Sequence, residues 1–196
     1  MPRVPLVSSD DLDNSYEIIQ RKREKLSDKI DADFWNRQPT VRAFSNNPAL
    51  GEAHLTTNTI MWTETGLSGT ESECVIMTIA RELECELLWH DHVALALEHN
   101  RLSESQINDI AAGTSDSFDE NLTTLVEYTK AYVRNQGAVG DRTHDSLAEF
   151  YDDAELVGVV MLAGFYVSLS HEVRALGLQR DDFVGWELEN FDPDTG

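Results

Sequence analysis

Three of the chain's six histidines and both of its cysteines fall between residues 73 and 103, among several carboxylates. The core of that stretch reads Cys85-Glu86-Leu87-Leu88-Trp89-His90-Asp91-His92. Imidazoles and carboxylates exchange protons near neutral pH, and a thiolate is a nucleophile, so this is where acid–base or thiol chemistry could reside. On a helix, Cys85 and His92 share a face about 10 Å apart along the axis. Leu88 and Trp89 lie four and three residues before His92, so both can touch its ring. Glu73 precedes His92 by nineteen residues, roughly 28 Å along one unbroken helix and too far for proton transfer. The two meet only if the helix breaks and folds back, and no Gly or Pro between them marks a break.

Each of these residues also has a plain structural reading. Thr70-x-x-Glu73 fits a capping box, which would occupy Glu73 at a helix start. Cys74 reads as inert core, and Cys85 as either a small packing residue or a reactive thiol. Trp89 fits the core or a pocket wall, while His90 and His99 read as exposed polar positions. Glu86 and His90 stand four apart with Cys85 and His92 nearby. No Cys-x-x-Cys, His-Glu-x-x-His or paired Glu-x-x-His pattern accompanies them, and no metal or cofactor is expected. Tyr166 and His171 sit on a late apolar helix, where core packing is the simpler role.

The elements that position these residues are helical. Prolines stand only at positions 2, 5, 39, 48 and 193, so little after Pro48 interrupts a helix. A weakly amphipathic helix is expected over 11–30, another from about Pro48 towards Trp62, then a break at 66–69. Residues 70–99 are the most apolar helical stretch. Ser103 is the expected N-cap of a short helix through Ile110, followed by a helix over 118–134 and a glycine-bearing turn at 136–141. Residues 147–176 form one or two helices ending at Gly177. Strand alternation and hairpin dipeptides are lacking. The fold class is all-α with a single domain at 45–178, a helical extension at 1–44 and an acidic tail at 179–196, lying on the surface or on a neighbouring subunit.

Charge restricts the partners. The chain carries 36 acidic against 15 basic residues, a net charge of −21, and only four lysines. Such a field repels nucleic acid and anionic membrane surfaces, so neither is expected as a partner. The acids are dispersed rather than gathered in a tail, as in a surface adapted to high salt; a docking face for a basic partner is the alternative. No apolar run reaches the length of a bilayer span, and the first residues lack a secretory core. The expected location is the cytoplasm.

Beyond spacing, the 73–103 block resembles the carboxymuconolactone decarboxylase and alkylhydroperoxidase-D (AhpD) superfamily. The likeness rests on Trp89-x-x-His92-x-x-x-Ala96, on Leu102-Ser103 opening the next helix with Asn100 where glycine is usual, and on Glu73 nineteen residues before the histidine. Asn47-Pro48-Ala49-Leu50 and the Gly164-Phe165-Tyr166 helix ending at Ala175-Leu176-Gly177 extend it over about 45–178. The resemblance implies an AhpD-like helical bundle in which the chain breaks between about Leu83 and Leu88, bringing Glu73 to His92. It further implies a homo-oligomer, trimer or hexamer, acting on a small molecule.

In AhpD members a Cys-x-x-Cys precedes the histidine, and glutamate and histidine relay protons to the attacking second thiol. Carried over, the cysteines fall on Cys85 and Leu88, and leucine cannot attack a peroxide. The resemblance therefore favours the non-redox branch: acid–base chemistry, decarboxylation or a related step, on a small organic acid or lactone. Glu73 and His92 would handle protons, with Cys85, Leu88, Trp89 and Tyr166 around the substrate. The alternatives are a thiol-dependent peroxidase using Cys85 and an inactive oligomeric scaffold.

Overall fold

The computed structural model describes residues 1–12, 38–180, 183 and 185–191. The described helices are α1 (Ser9–Leu12), α2 (Pro39–Phe44), α3 (Pro48–Thr63), α4 (Gly69–Glu82), α5 (Glu86–Glu98), α6 (Glu104–Ala112), α7 (Glu120–Arg134), α8 (Asp141–Ala148) and α9 (Asp153–Ala175), with a 3-10 turn at Leu188–Asn190. No strand occurs among the described residues. Apart from its first two residues, the helix expected over 11–30 lies outside them.

The bundle is built around α4. Its nine residues from Ser72 to Ala80 are all buried, and it packs against α5, α7 and α9. Ser68 starts it: the side chain accepts from Glu71 N, and the Glu71 carboxylate accepts from Ser68 N at 2.7 Å. This capping box replaces the one expected between Thr70 and Glu73. Both pairs carry the same pattern, but a Glu at 73 faces the core, whereas a Glu at 71 can reach back to the helix start. Thr70 instead donates its hydroxyl to the Arg101 carbonyl at 2.8 Å.

The long helical stretch breaks where the resemblance requires it. Helix α4 ends at Glu82, and Glu84 takes a left-handed conformation with φ 51°. Glu84 N then donates to Arg81 O and Cys85 N to Ala80 O, the paired bonds of a Schellman ending. The position normally held by glycine carries Glu here, so composition gave no sign of it. Asn100, φ 51°, repeats the device after α5, with Arg101 N bonded to Ala96 O at 2.8 Å. Ser103 caps α6 as expected, and Gly177, φ 66°, follows α9.

The region expected as one or two helices over 147–176 is two, with α8 beginning earlier, at Asp141. Helix α9 is 23 residues long and its apolar window has a mean hydropathy of 1.6, long and apolar enough by length and composition to cross a bilayer. The expectation that no stretch reaches such a length is thereby corrected. In this structure α9 buries Val159, Leu162, Tyr166 and Val173 against α3, α4 and α7. Gly158 permits the approach: a Cβ there would lie 2.1 Å from the Thr65 carbonyl oxygen.

Both ends of the chain contact this bundle. Arg3 donates its backbone N–H to Leu176 O and its guanidinium to Ala175 O, at the end of α9. Near the C-terminus, Trp186 packs edge-on to Trp89 and beneath the Arg81 guanidinium. Among the described residues, Glu73 is the one carboxylate residue in the fully buried class, so the acid excess lies on the outside or near it.

Candidate functional site

Glu73 stands on the inner face of α4, one turn past the cap, and is fully buried. The reversal at Glu84 lays α5 back along α4 and places His92 beside it. His92 Nδ1 and Glu73 Oε2 are 2.8 Å apart. The reversal at Asn100 then turns Arg101 inward, and its Nη1 donates to Glu73 Oε1 at 2.7 Å. Both carboxylate oxygens are therefore occupied, one by an imidazole and one by a guanidinium. A buried charge is tolerable in this arrangement because it is paired and hydrogen-bonded.

Helices α3 and α9 supply aromatic walls. The Trp62 ring is parallel to His92 with centroids 6.0 Å apart, and Tyr166 meets the imidazole edge-on at 5.4 Å. Trp62 Nε1 donates to the Tyr166 hydroxyl oxygen at 3.0 Å and Asn58 Nδ2 at 3.5 Å. With two donors on its oxygen, the phenol has its own proton to offer elsewhere. Burial, reinforced by the Glu73 charge, pushes the Tyr166 phenol well above its ordinary value and keeps it protonated. Arg101 also spreads over Trp62, 5.0 Å from the ring centroid, which ties the charged and aromatic halves together.

His92 and Tyr166 open onto a cavity of about 50 Å³, space for a few water-sized groups. Asn58, Trp62 and Leu88 contribute to its wall, as do Gln38 and Asp91. Two expected pocket residues, Leu88 and Tyr166, are thus in the wall. Two others are not. Cys85 is fully buried at the start of α5, outside the cavity, where burial raises its thiol against weak opposition from the Leu88 backbone and Ser170. Trp89 points away, onto Trp186, because position 89 lies on a different face of α5 from Leu88 and His92.

Cys74 is core, its thiol raised by burial. The readings of His90 and His99 are corrected: His90 is buried against Phe191, and His99 is half-buried. His171 is exposed rather than core, being on the outer side of α9. Among the described residues no group of three or more His, Cys, Asp or Glu could hold a metal ion.

Sequence reasoning missed Arg101, Trp62, Asn58 and Asp91. Arg101 left one usable signal: a cation directly after Asn100, the residue standing where the family has glycine, in a chain poor in cations. Trp62 and Asn58 come from α3 and meet Tyr166 across 104 and 108 residues of chain, beyond the reach of local spacing.

Sequence comparison finds no matching protein-family model and no matching curated relative. The architecture is nevertheless found in a solved structure, a protein of unknown function from Agrobacterium tumefaciens assigned provisionally to the antioxidant defence protein AhpD. It superposes with a TM-score of 0.65 over 70% of this chain and 94% of its own, at 17% identity. The fold is AhpD-like. At that identity the likeness speaks for the architecture alone, and the AhpD-like bundle here presents a Glu–His–Arg cluster with no cysteine in the cavity wall.

Proposed function

We propose that this chain is an acid–base enzyme of the carboxymuconolactone decarboxylase type, acting on a small organic acid or lactone. The observation that carries the reading is the 2.8 Å bond between buried Glu73 and His92 Nδ1 at the wall of a small, partly open cavity. A carboxylate on Nδ1 fixes the ring and its tautomer, leaving Nε2 as the nitrogen for a substrate. The pair then stabilises the imidazolium formed when Nε2 takes a proton, as the buried carboxylate of a catalytic triad does.

In the reaction class proposed, Nε2 removes a proton from carbon beside a carbonyl. The C–H electron pair moves into the carbon–carbon bond, and the carbonyl pair moves onto oxygen. Tyr166, held protonated with its O–H not engaged by Trp62 or Asn58, is the donor suited to that oxygen. In a decarboxylation the C–CO₂ bond supplies the same electron pair, and the imidazolium returns a proton to carbon. A cavity of about 50 Å³ limits the inner part of the substrate to a small group.

The thiol-dependent peroxidase alternative has less support. It needs an ionised thiol at the cavity; Cys85 lies outside the wall with its thiol raised, and Leu88 occupies the wall position. The test is deuterium exchange at the carbon next to the carbonyl of α-angelica lactone and of levulinate, followed by proton NMR in D₂O. The expected result is enzyme-dependent exchange, reduced at least a hundredfold in His92→Ala. Absence of exchange, together with peroxide turnover abolished in Cys85→Ser, would reverse the assignment.

A further inference from the structure

The cavity beside His92 and Tyr166 admits only a small group, but a wider hollow lies next to it. This hollow, of about 450 Å³, is formed by the turn after α2, the start of α3 and the last part of α9. Its volume falls in the range of small-molecule sites, roughly 300–1,000 Å³, as the inner cavity's does not.

Each of three helices passes from one space to the other. On α3, Leu50, His54, Asn58 and Trp62 recur every fourth residue and so form one stripe, with steps of about 6 Å along the axis. Leu50 lines the outer hollow, His54 lines both spaces, and Asn58 and Trp62 line the inner one. Exposure falls in the same order, from 66% at Leu50, through half-buried His54, to 6% at Asn58. On α9, Tyr166 and Leu169 line the inner cavity, and Glu172, a turn further on, lines the outer hollow. On α2 the wall passes from Thr40 and Val41 inside to Ala43 and Phe44 outside. The His54 ring forms the neck, with its centroid 4.8 Å from that of Phe44 and 5.0 Å from that of Phe165.

The outer wall selects by polarity. Ala43, Phe44 and Leu50 are apolar. The amides beside them are engaged: Asn46 Nδ2 donates to Pro5 O and Ala43 O, and Asn47 Oδ1 accepts from Leu50 N. Glu172 brings a carboxylate, which accepts from Ser168 Oγ at 2.8 Å. No Lys or Arg is among the described residues lining either space. An anionic group entering here would meet Glu172 and Asp91 with no fixed cation to pair with, in a chain of net charge −21.

We propose that the outer hollow binds the body of the substrate, an uncharged alkyl chain, while the carbon beside the carbonyl enters the inner cavity past His54. The substrate class is thereby narrowed from small organic acids and lactones to a neutral, alkyl-substituted lactone. The proposal rests on the acid–base reading above.

The experiment uses the full chain and 5-alkyl-2(3H)-furanones with methyl (α-angelica lactone), propyl and pentyl tails. Exchange beside the carbonyl is followed by proton NMR in D₂O. In wild type, kcat/KM should rise about two- to fourfold per methylene, through KM, as the chain leaves water for the hollow. Leu50→Trp, at an exposed position, should fill the hollow and bring the pentyl-to-methyl ratio down to about one. A ratio taken within one protein is insensitive to a general loss of activity. A lactone of pentyl length ending in a carboxylate should be at least about tenfold poorer than the pentyl lactone. Binding is read separately from turnover by titrating ¹⁵N-labelled protein with γ-valerolactone and γ-nonalactone. The longer one should bind at least about tenfold tighter and shift the Asn46, Asn47 and Leu50 amides.

A flat series in wild type, with exchange intact, would overturn the outer site and leave the acid–base reading standing. An unchanged tail gain in Leu50→Trp, or preference for the carboxylate end, would overturn the outer site as well. Absence of exchange on every lactone, with γ-nonalactone still bound at Leu50 and its affinity lost in Leu50→Trp, would overturn the acid–base reading and leave the hollow as a site for a neutral alkyl ligand. Loss of both exchange and tail-dependent binding would overturn both.

Discussion

Replacing Arg101 by Met tests whether Glu73 is held as a compensated buried charge. The Glu73 side chain is 0% exposed and that of Arg101 11%, with 2.7 Å between Oε1 and Nη1. Met keeps much of the packing volume and removes the cation, leaving a buried carboxylate with His92 as its remaining partner. Breaking one side of such a pair costs about 3–5 kcal/mol, a large part of the 5–15 kcal/mol that typically holds a domain together. In a Glu73→Gln background the charge is already gone. The same Arg101→Met change then removes a neutral hydrogen bond and the stacking on Trp62, together about 1–2 kcal/mol. The double variant should therefore be less destabilised than the sum of the single changes by about 2–3 kcal/mol. Urea unfolding of the four proteins, with m-values checked for constancy, measures this directly. Additivity to within about 0.5 kcal/mol would refute the reasoning, since it would mean that the two groups are solvated independently.

Three further outcomes follow from other parts of the structure. Gly158→Ala should destabilise by at least about 1–3 kcal/mol, because its Cβ would meet Thr65 backbone oxygen at 2.1 Å; an unchanged melting temperature would contradict the close approach of α9. Cys74 and Cys85 should react slowly with a thiol reagent in the native state, whereas Leu88→Cys should place a fast-reacting thiol in the cavity. Equal rates at 85 and 88 would mean that the wall is drawn wrongly. Finally, thermal melts in KCl should rise with salt, because a net −21 repels itself over a screening length of about 30 Å at 0.01 M and about 3 Å at 1 M. A flat midpoint would point to the alternative of a docking face for a basic partner.

Legibility followed the range of the interactions. The starts of α3 and α6 were readable because Asn47-Pro48 and Ser103 act on their own helix within a turn. Gly177 was readable for the same reason. The all-α class followed from sparse prolines and absent alternation. Contact between Glu73 and His92 was not readable from spacing, since the reversal depends on a left-handed Glu84, a residue that does not advertise one. Family resemblance supplied that contact. The capping pattern misled because it occurs twice, at 68–71 and 70–73, and only burial against α5 decides between them. Assigning Trp89 to the pocket failed for a related reason: a three-residue step reaches the imidazole on a wheel, but the partner helices decided which side of α5 faces the cavity. Asp91 drew no notice because a carboxylate in a chain with 36 acids looks like surface until its neighbours are known.

The two reversals have a kinetic meaning as well as a geometric one. Glu73 is joined to His92 and Arg101 across 19 and 28 residues, whereas Trp62 reaches Tyr166 across 104. By the logarithmic dependence of loop closure, bringing Trp62 to Tyr166 costs about 1.5 kcal/mol more chain entropy than closing Glu73 on His92. The ionic cluster is thus a property of one helical hairpin and its next turn, while the aromatic walls belong to the assembled bundle.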